Sequence, residues 1–201
     1  VGTDDGNVQV TKDGGKNWQN VVSNIQGLPS NTWTYHIEAS VHGKGIAYAV
    51  FDGHNSGDMQ PYVYKTSDFG TTWTNIITDN VIGTSRNIQE DYKNENLLFL
   101  GTEFGLYITA DGGKNWEKFT KNVPPVAVHF IDLQKQTNDL VLGTHGRGII
   151  IIEDISPLRE ITTEVLKSKL HFFSSKPMKL SDESGFAGSF GAETQFVGEN
   201  A

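Results

Sequence analysis

Short runs of β-branched, aromatic and aliphatic residues recur along the chain, and residues that favour turns separate them. In the clearest region these runs cover 87–92, 97–102, 106–109 and 116–119. Runs of this length, bounded by Gly, Asn or Asp, predict short β-strands. The same order returns at 35–41, 46–51, 62–66 and 73–77, and, without a recognisable fourth run, at 126–133, 140–144 and 148–153. The pattern therefore predicts an all-β fold built from repeated four-stranded antiparallel sheets.

A turn motif follows the predicted third strand in three of the repeats. It reads Ser/Thr-x-Asp-x-Gly-x-x-Trp, and its key residues are Asp13, Gly15 and Trp18, then Asp68, Gly70 and Trp73, then Asp111, Gly113 and Trp116. An Asp in a tight turn accepts hydrogen bonds from main-chain N–H groups that follow it, and the Gly permits a positive φ. A carboxylate beside a Trp also suits a sugar-binding site. One copy per repeat favours a structural clamp for the hairpin.

The repeat length indicates a particular architecture. A Gly-Thr pair recurs at Gly2, Gly101 and Gly143, and a period of roughly 40–45 residues with several short strands is the size of one β-propeller blade. The repeats amount to roughly three and a half blades, whereas propellers close with about 4 to 8. We therefore expect residues 1–155 to be the C-terminal part of a larger propeller. The remaining blades would come from the same polypeptide or from a partner chain.

Residues 156–201 are predicted to form a C-terminal extension. Asp154 remains where the fourth turn motif should stand, but its Gly and Trp are absent. Ser156 followed by Pro157 predicts a helix start with the Ser as its cap, and 162–167 predicts a second short helix. An extended segment is expected at 170–174. From 181 the chain is rich in Gly, Ser and Glu, so it is expected to be disordered or a loop that packs through Phe186, Phe190 and Phe196.

Composition narrows the classes of function. A hydrophobic fraction of 36% with 20% charged residues is that of a soluble globular protein. The net charge of −8 argues against a nucleic-acid partner, because phosphate binding requires a basic face. The lack of cysteine excludes disulfides and thiolate chemistry, and no apolar run reaches the ~18 residues of a membrane span. No cofactor is expected, apart from the Ca²⁺ alternative below.

The turn motif is identified as the Asp box, or BNR repeat, and the chain resembles Asp-box β-propellers of the sortilin and xyloglucanase type. The segments 143–149 and 153–159 look like the end of the propeller in bacterial proteins described as sortilin-like or as BNR-repeat glycosyl hydrolases. The resemblance covers about residues 1–175. It implies a secreted or cell-envelope repeat protein that is either a binding module or a glycoside hydrolase. Neither the arginine triad and Tyr nucleophile of sialidases nor the two catalytic Asp residues of xyloglucanases can be matched.

The boxes also orient the search for a site. Because they connect strands 3 and 4, the turns between strands 2 and 3 should lie on the opposite, top face, where sites of such propellers usually lie. The top face is then expected to carry Asp4, Asp5, the loop 52–60, Glu103, Phe104, His145 and Arg147. The connections that lead into each first strand add Trp33, Tyr35, the run around Arg86, and the pair Pro124-Pro125.

Several of these residues are candidates for ligand binding: His145, Arg147, Trp33, Asp5 and Phe104. His145 and Arg147 suit a carboxylate or phosphate, or they tie the last blade to its neighbour. Trp33 suits stacking on a sugar or peptide, or it packs at a blade edge.

Several carboxylates are candidates for catalysis or metal binding. Glu103 with Asp52 or Asp5 is a candidate acid–base pair, because glycoside hydrolysis needs two carboxyl groups about 5–10 Å apart. Asp52 and Asp58 offer hard oxygen ligands for Ca²⁺, against the alternative of a solvated Gly-rich loop. Glu38, Glu90 and Asp132 are expected on innermost strands, either lining a functional channel or forming its solvated wall.

The preferred function is an extracellular or cell-envelope binding module for a glycan or peptide. The alternative is a glycoside hydrolase of the xyloglucanase type that uses top-face carboxylates. A third possibility is an assembly or scaffold factor.

Overall fold

The computed structural model describes residues 1–174 as a row of antiparallel sheets. A two-stranded sheet, the N-terminal half-blade, contains β1 (Gln9–Val10) and β2 (Gln19–Asn20). Blade 2 follows with β3 (Trp33–Ala39), β4 (Ala47–Asp52), β5 (Tyr62–Thr66) and β6 (Thr74–Asn75). Blade 3 contains β7 (Ser85–Glu90), β8 (Leu98–Thr102), β9 (Gly105–Thr109) and β10 (Glu117–Phe119). Blade 4 has β11 (Val128–Gln134), β12 (Asp139–Thr144) and β13 (Ile149–Ile152).

Strands within each blade pair in chain order, so each blade is an antiparallel meander. The first strands of blades 2, 3 and 4 lie against one another, which makes them the innermost strands. This arrangement confirms the predicted all-β, propeller-blade fold. The predicted strands are recovered, with bounds that shift by a few residues at their ends.

Apolar side chains fill the spaces between consecutive blades. Between blades 2 and 3 the buried residues include Tyr48, Val50, Ile88, Leu98, Leu100 and Trp116. Between blades 3 and 4 they include Leu97, Phe99, Leu106, Leu133, Leu140 and Leu142. The half-blade packs on blade 2 through Val8, Val21, Ala49, Phe51 and Tyr64. Burial of these faces is the main favourable contribution to holding the blades together.

The Asp boxes form the turns that the sequence predicts. In the third box, the main-chain N–H groups of Lys114 and Asn115 donate to Oδ1 of Asp111 at 3.0 and 2.9 Å, and the Asn115 side chain donates to Oδ2 at 2.7 Å. Thr109 donates to the same carboxylate and accepts from the N–H of Gly113. Gly113 has φ +93°, a region that L-residues with side chains resist.

The three box tryptophans differ in their surroundings, although their local turns are alike. Trp116 is 1% exposed and packs against blade 2, whereas Trp18 is 50% exposed. Trp73 is half-buried against the half-blade. Trp73 and Trp116 therefore pack between adjacent sheets, whereas Trp18 does not, because no described sheet lies before the half-blade.

The C-terminal face of blade 4 is also uncovered by described residues. Ile149 pairs with Gly143 in blade 4 as Leu106 pairs with Gly101 in blade 3. Leu106 lies beneath blade 4 and is 0% exposed, whereas Ile149 is 71% exposed. Phe130 and Ile151 on the same face are exposed as well. The equivalent position in blade 3, Leu106, is buried by the blade that follows it.

After β13 the chain forms a 3-10 helix, Ser156–Glu160, and helix α1, Thr163–Lys167. Both predicted helical segments are present, but the cap of the first is Ile155 and not Ser156. Residues 170–174 have no regular secondary structure. The expectation for Phe186, Phe190 and Phe196 falls outside the described residues. In the part that is described, no helix is long and apolar enough to cross a membrane.

Candidate functional site

Each innermost strand carries a β-bulge at the same place, and the extra residues meet. The pairing register shifts between Thr34 and His36, between Ser85 and Asn87, and between Val128 and Phe130. The unpaired residues are therefore Tyr35, Arg86 and His129. Bulges re-aim a side chain relative to its sheet and are common beside functional sites.

A residue at or directly after the end of each second strand forms a matching set. Asp52 pairs with Trp33, two residues before the bulge of blade 2. In blade 3 the N–H of Glu103 donates to the carbonyl of Thr84 at 3.0 Å, and in blade 4 the N–H of His145 donates to that of Ala127 at 2.9 Å. Both carbonyls also lie two residues before a bulge. The six residues Tyr35, Asp52, Arg86, Glu103, His129 and His145 are called the top-face cluster below.

A buried arginine links the carboxylates of this cluster. Nη1 of Arg86 donates to Oδ2 of Asp52, and Nη2 donates to Oε2 of Glu103 at 2.9 Å. Asp52 also accepts from the main-chain N–H of His54 at 3.0 Å and from its Nδ1 at 2.6 Å. Both oxygens of Asp52 are thus occupied, and its side chain is fully buried. A buried charge persists at low cost only when it is paired in this way.

Aromatic rings continue the cluster from blade 2 to blade 4. The Arg86 guanidinium lies 5.4 Å from the centre of the Tyr35 ring, a cation–π distance. The Tyr35 hydroxyl is 3.5 Å from Nδ1 of His129, and the rings of His129 and His145 stack with centres 5.5 Å apart. Trp33 contacts the other side of Tyr35, with ring centres 4.8 Å apart.

The same environment keeps His129 neutral over a wider pH range. Burial is the largest effect that lowers the pKa of His129, followed by repulsion from Arg86 and from His145. Glu103 and Asp52 act in the opposite direction, but the net pKa shift is downward. A lowered histidine pKa means that the ring is uncharged at neutral pH.

The structure corrects two uses proposed for Asp52. As a catalytic group it has no exposed surface, and both of its oxygens are occupied by Arg86 and His54. As a Ca²⁺ ligand with Asp58 it fails for the same reason, and Asp58 itself accepts from the N–H of Gln60 and from the Tyr62 hydroxyl. Among the described residues, no cluster of His, Cys, Asp or Glu is arranged to hold a metal ion.

The other candidate residues are divided between the cluster and its surroundings. Glu103 and His145 belong to the cluster, and Trp33 borders it through Tyr35. Phe104 follows Glu103 and is exposed, with its ring against Gly83. Arg147 is exposed in the turn between β12 and β13. Asp5 is tied into its own N-terminal turn by Thr3 and Asn7.

His129 was not among the residues singled out from the sequence, and Arg86 was noted only as part of a connecting run. His129 lies within a run that reads as ordinary strand and Arg86 lies just before one, and a bulge leaves no mark in a hydrophobic pattern. Aligning the repeats through their Gly-Thr pairs does not reveal these residues, because blade 2 lacks the pair and the pair lies one residue farther from Arg86 than from His129. Their shared position becomes visible only in the pairing of the strands.

Comparison with known proteins gives the fold and a set of relatives. The family description BNR/Asp-box repeat matches residues 107–118, which include the third box. A photosystem II assembly lipoprotein, Ycf48, from a Nostoc species is 25% identical over 82% of this chain and 57% of its own length. This chain thus spans a little over half of that curated relative.

Solved structures with the same fold belong to two functional classes. One, described as YCF48 bound to D1 peptide, superimposes with a TM-score of 0.54 at 19% identity, over 77% of this chain and 46% of that one. The GH74 xyloglucanase of Xanthomonas campestris gives 0.61 at 14% identity, over 76% and 27%. A GH74 enzyme of Niastella koreensis gives 0.59 at 16%, over 76% and 26%. The likeness establishes Asp-box propeller blades and leaves the function to the site.

Proposed function

We propose that this chain is the peptide-binding part of an Asp-box propeller, with its site at the top-face cluster. The observation that carries the proposal is the shared guanidinium of Arg86. It holds Asp52 and Glu103 at once, and Asp52 is fully buried. A glycosidase needs one carboxyl group as a proton donor and a second as a base or nucleophile, both reaching the sugar. Here Asp52 is enclosed and cannot reach a sugar, and its pairing with Arg86 is a structural anchor for the surrounding surface.

The surface around that anchor suits a peptide better than a sugar chain. The ring of Tyr35 already contacts Trp33, Arg86 and His129, so it offers no free flat platform. Phe104 instead presents exposed apolar surface beside polar groups of the cluster. Apolar pockets beside a few oriented polar groups are typical of side-chain recognition. The relative with a bound D1 peptide supports a peptide ligand, and the GH74 enzymes keep hydrolysis as the competing class.

The test compares binding with turnover on the same preparation. The complete chain is applied to peptide and glycan arrays and assayed for reducing sugar released from a panel of β-glucans. We expect retention on peptides with no sugar release. Phe104→Ala should weaken retention, whereas Phe69→Ala should not, because that phenylalanine is similarly exposed (38% against 43%) but lies in an Asp box on the opposite face. Sugar release that Glu103→Gln abolishes would replace the proposal with the hydrolase.

Further blades complete the proposed domain, covering Trp18 at one end and Ile149 at the other. The buried counterparts of these residues, Trp116 and Leu106, support it. Residues 1–155 then form the propeller part and 156–201 an extension. In solution scattering, the chain alone should give the profile of an open arc, and a closed disc would contradict this part of the proposal.

A secreted or envelope location, which the sortilin-like and glycosyl-hydrolase-like resemblance implies, belongs to the same proposal. The description of the Nostoc relative as a lipoprotein supports it. Fractionation of cells producing the native protein, with immunodetection in the envelope and medium, tests the location directly.

A further inference from the structure

We infer that the peptide ligand is recognised through a basic side chain, Lys or Arg, whose cationic group is received by Glu103. This inference rests on the proposed function and adds a residue preference to it. It begins from the charge of the top-face cluster. Arg86 carries one positive charge against the two negative charges of Asp52 and Glu103. With histidine counted as neutral at pH 7, one negative charge remains in excess, and the lowered pKa of His129 acts in the same direction.

Glu103 is where that excess charge is accessible. The Asp52 side chain is fully buried, whereas that of Glu103 is 34% exposed. Oε2 of Glu103 accepts from Arg86, while Oε1 accepts no hydrogen bond from any residue between 1 and 174. The free oxygen is the acceptor that a second cation can use, and a carboxylate bonded to two cations is a common, charge-assisted arrangement.

An apolar ledge beside Glu103 fits the aliphatic part of a basic side chain. The ring of Phe104 lies so close to Gly83 that a β-carbon there would come within 2.6 Å of its Cδ2. Ile82 precedes Gly83 and is also exposed. Lys and Arg bury their methylene stems on apolar surface and keep the charged end at a polar group. Phe104 and Ile82 supply that surface, and Glu103 supplies the polar group.

The geometry of Gly83 keeps the ledge in place. Gly83 has φ +81°, so a side chain there is disfavoured by the backbone as well as by Phe104. The N–H of Phe104 donates to Oγ1 of Thr102 at 3.2 Å, which fixes the turn that carries the ring. The main chain that carries Glu103 and Phe104 is therefore fixed before any ligand arrives, which reduces the ordering cost of binding.

Capped peptide pools that differ at one fixed position provide the test. One pool each carries Lys, Arg, norleucine or Glu at that position, and binding to the complete chain is measured by fluorescence anisotropy at neutral pH. The Lys and Arg pools should bind about tenfold more tightly than the norleucine pool, the size of effect expected for a charge-assisted contact. Glu103→Gln should remove this preference, so that the Lys and Arg pools bind no more tightly than the norleucine pool. Glu117→Gln, an exposed glutamate on β10 of the same blade, should retain it.

The outcomes distinguish recognition of a basic side chain from peptide binding itself. Equal binding of all pools, or preference for Glu, overturns recognition of a basic side chain while peptide binding itself stands. A preference for Lys and Arg that persists in Glu103→Gln overturns the role of Glu103. Failure of every pool to bind overturns the proposed function together with this inference.

Discussion

The indole Nε1 of Trp116 donates a hydrogen bond to the main-chain carbonyl of Ile76, 2.6 Å away in the preceding blade. The corresponding nitrogens of Trp18 and Trp73 bond instead to the carbonyls of Gly15 and Gly70, both at 3.1 Å and both in their own turns. The third Asp box therefore joins two blades in addition to closing its hairpin.

Trp116→Phe should lower the free energy of unfolding by about 1–3 kcal/mol, the cost of leaving a buried carbonyl without a donor. Some lost packing adds to this, because Phe is smaller than Trp. Trp18→Phe is the control, since its indole is half exposed and bonds locally; its effect should stay within about 0.5 kcal/mol. Urea unfolding followed by circular dichroism measures both. Equal losses at the two sites would show that the contact between blades contributes nothing.

Gly113→Ala should be more destabilising than Gly15→Ala, although both glycines have nearly the same backbone strain, with φ +93° and +90°. The difference lies in the surroundings. A β-carbon on Gly113 would stand 2.9 Å from Cβ of Ile76 in the preceding blade, whereas one on Gly15 meets only Trp18, at 3.8 Å. Overpacking of a close contact costs about 1–3 kcal/mol. Thermal unfolding of the two variants should therefore differ by several degrees, and matching midpoints would contradict the close approach.

The blade architecture could be predicted from sequence because its determinants are local. Alternating apolar runs fix each strand, and the Asp box carries its own turn chemistry in a few consecutive residues. Asp111 illustrates this, since its partners Thr109, Lys114 and Asn115 all lie within four residues. The same periodicity also placed Glu103 and His145 on the face opposite the boxes.

The chemistry of the site could not be predicted in the same way, because it depends on contacts between blades. From the sequence alone, Asp52 is an available carboxylate. Only the fold brings Arg86, 34 residues away in sequence, into hydrogen-bond contact with it. His129 looked like a strand residue, and only the bulge turns it towards Tyr35, 94 residues away. Nor does sequence distinguish Trp18 from Trp116, since neighbouring sheets set their burial.

The first Asp box should show an unusually acidic carboxyl group. Hydrogen bonds from the N–H and side-chain amide of Asn17, with one from Thr11, lower the pKa of Asp13 to about 2. Titration of the carboxyl carbon by NMR should give this value. Asn17→Ala should raise the pKa of Asp13 towards the ordinary value, because the side-chain donor is lost. Lys16→Ala should leave it nearly unchanged, since Lys16 contributes only its main-chain N–H.

The direction of the shift also sets the pH range in which the boxes stabilise the fold. A carboxyl group whose folded pKa is lowered stabilises the protein above its unfolded pKa, and this contribution disappears as pH falls through the folded value. The pKa values of Asp68 and Asp111 are lowered as well: that of Asp68 mainly by Thr72, and that of Asp111 by Asn115 and Thr109 against an opposing effect of burial. Stability should thus decrease from about pH 4 towards pH 2. Asp68→Asn should make that decrease shallower, and an unchanged pH profile would contradict the assignment.

Removing Arg86 should show that its pairing with Asp52 is structural. Arg86→Met leaves a buried carboxylate without its cation, and breaking a buried pair from one side costs about 3–5 kcal/mol. Adding Asp52→Asn should recover much of that loss, because the double variant no longer buries an uncompensated charge. Glu103→Gln alone should cost about 1 kcal/mol or less, since this second partner is partly exposed and screened by water. A double-mutant cycle by urea unfolding measures the coupling of Arg86 with each carboxylate. We expect strong coupling of Arg86 to Asp52 and weak coupling to Glu103, which leaves Glu103 available to a ligand. Stronger coupling to Glu103 than to Asp52 would make Glu103 the structural partner of Arg86 and would contradict its role in recognition.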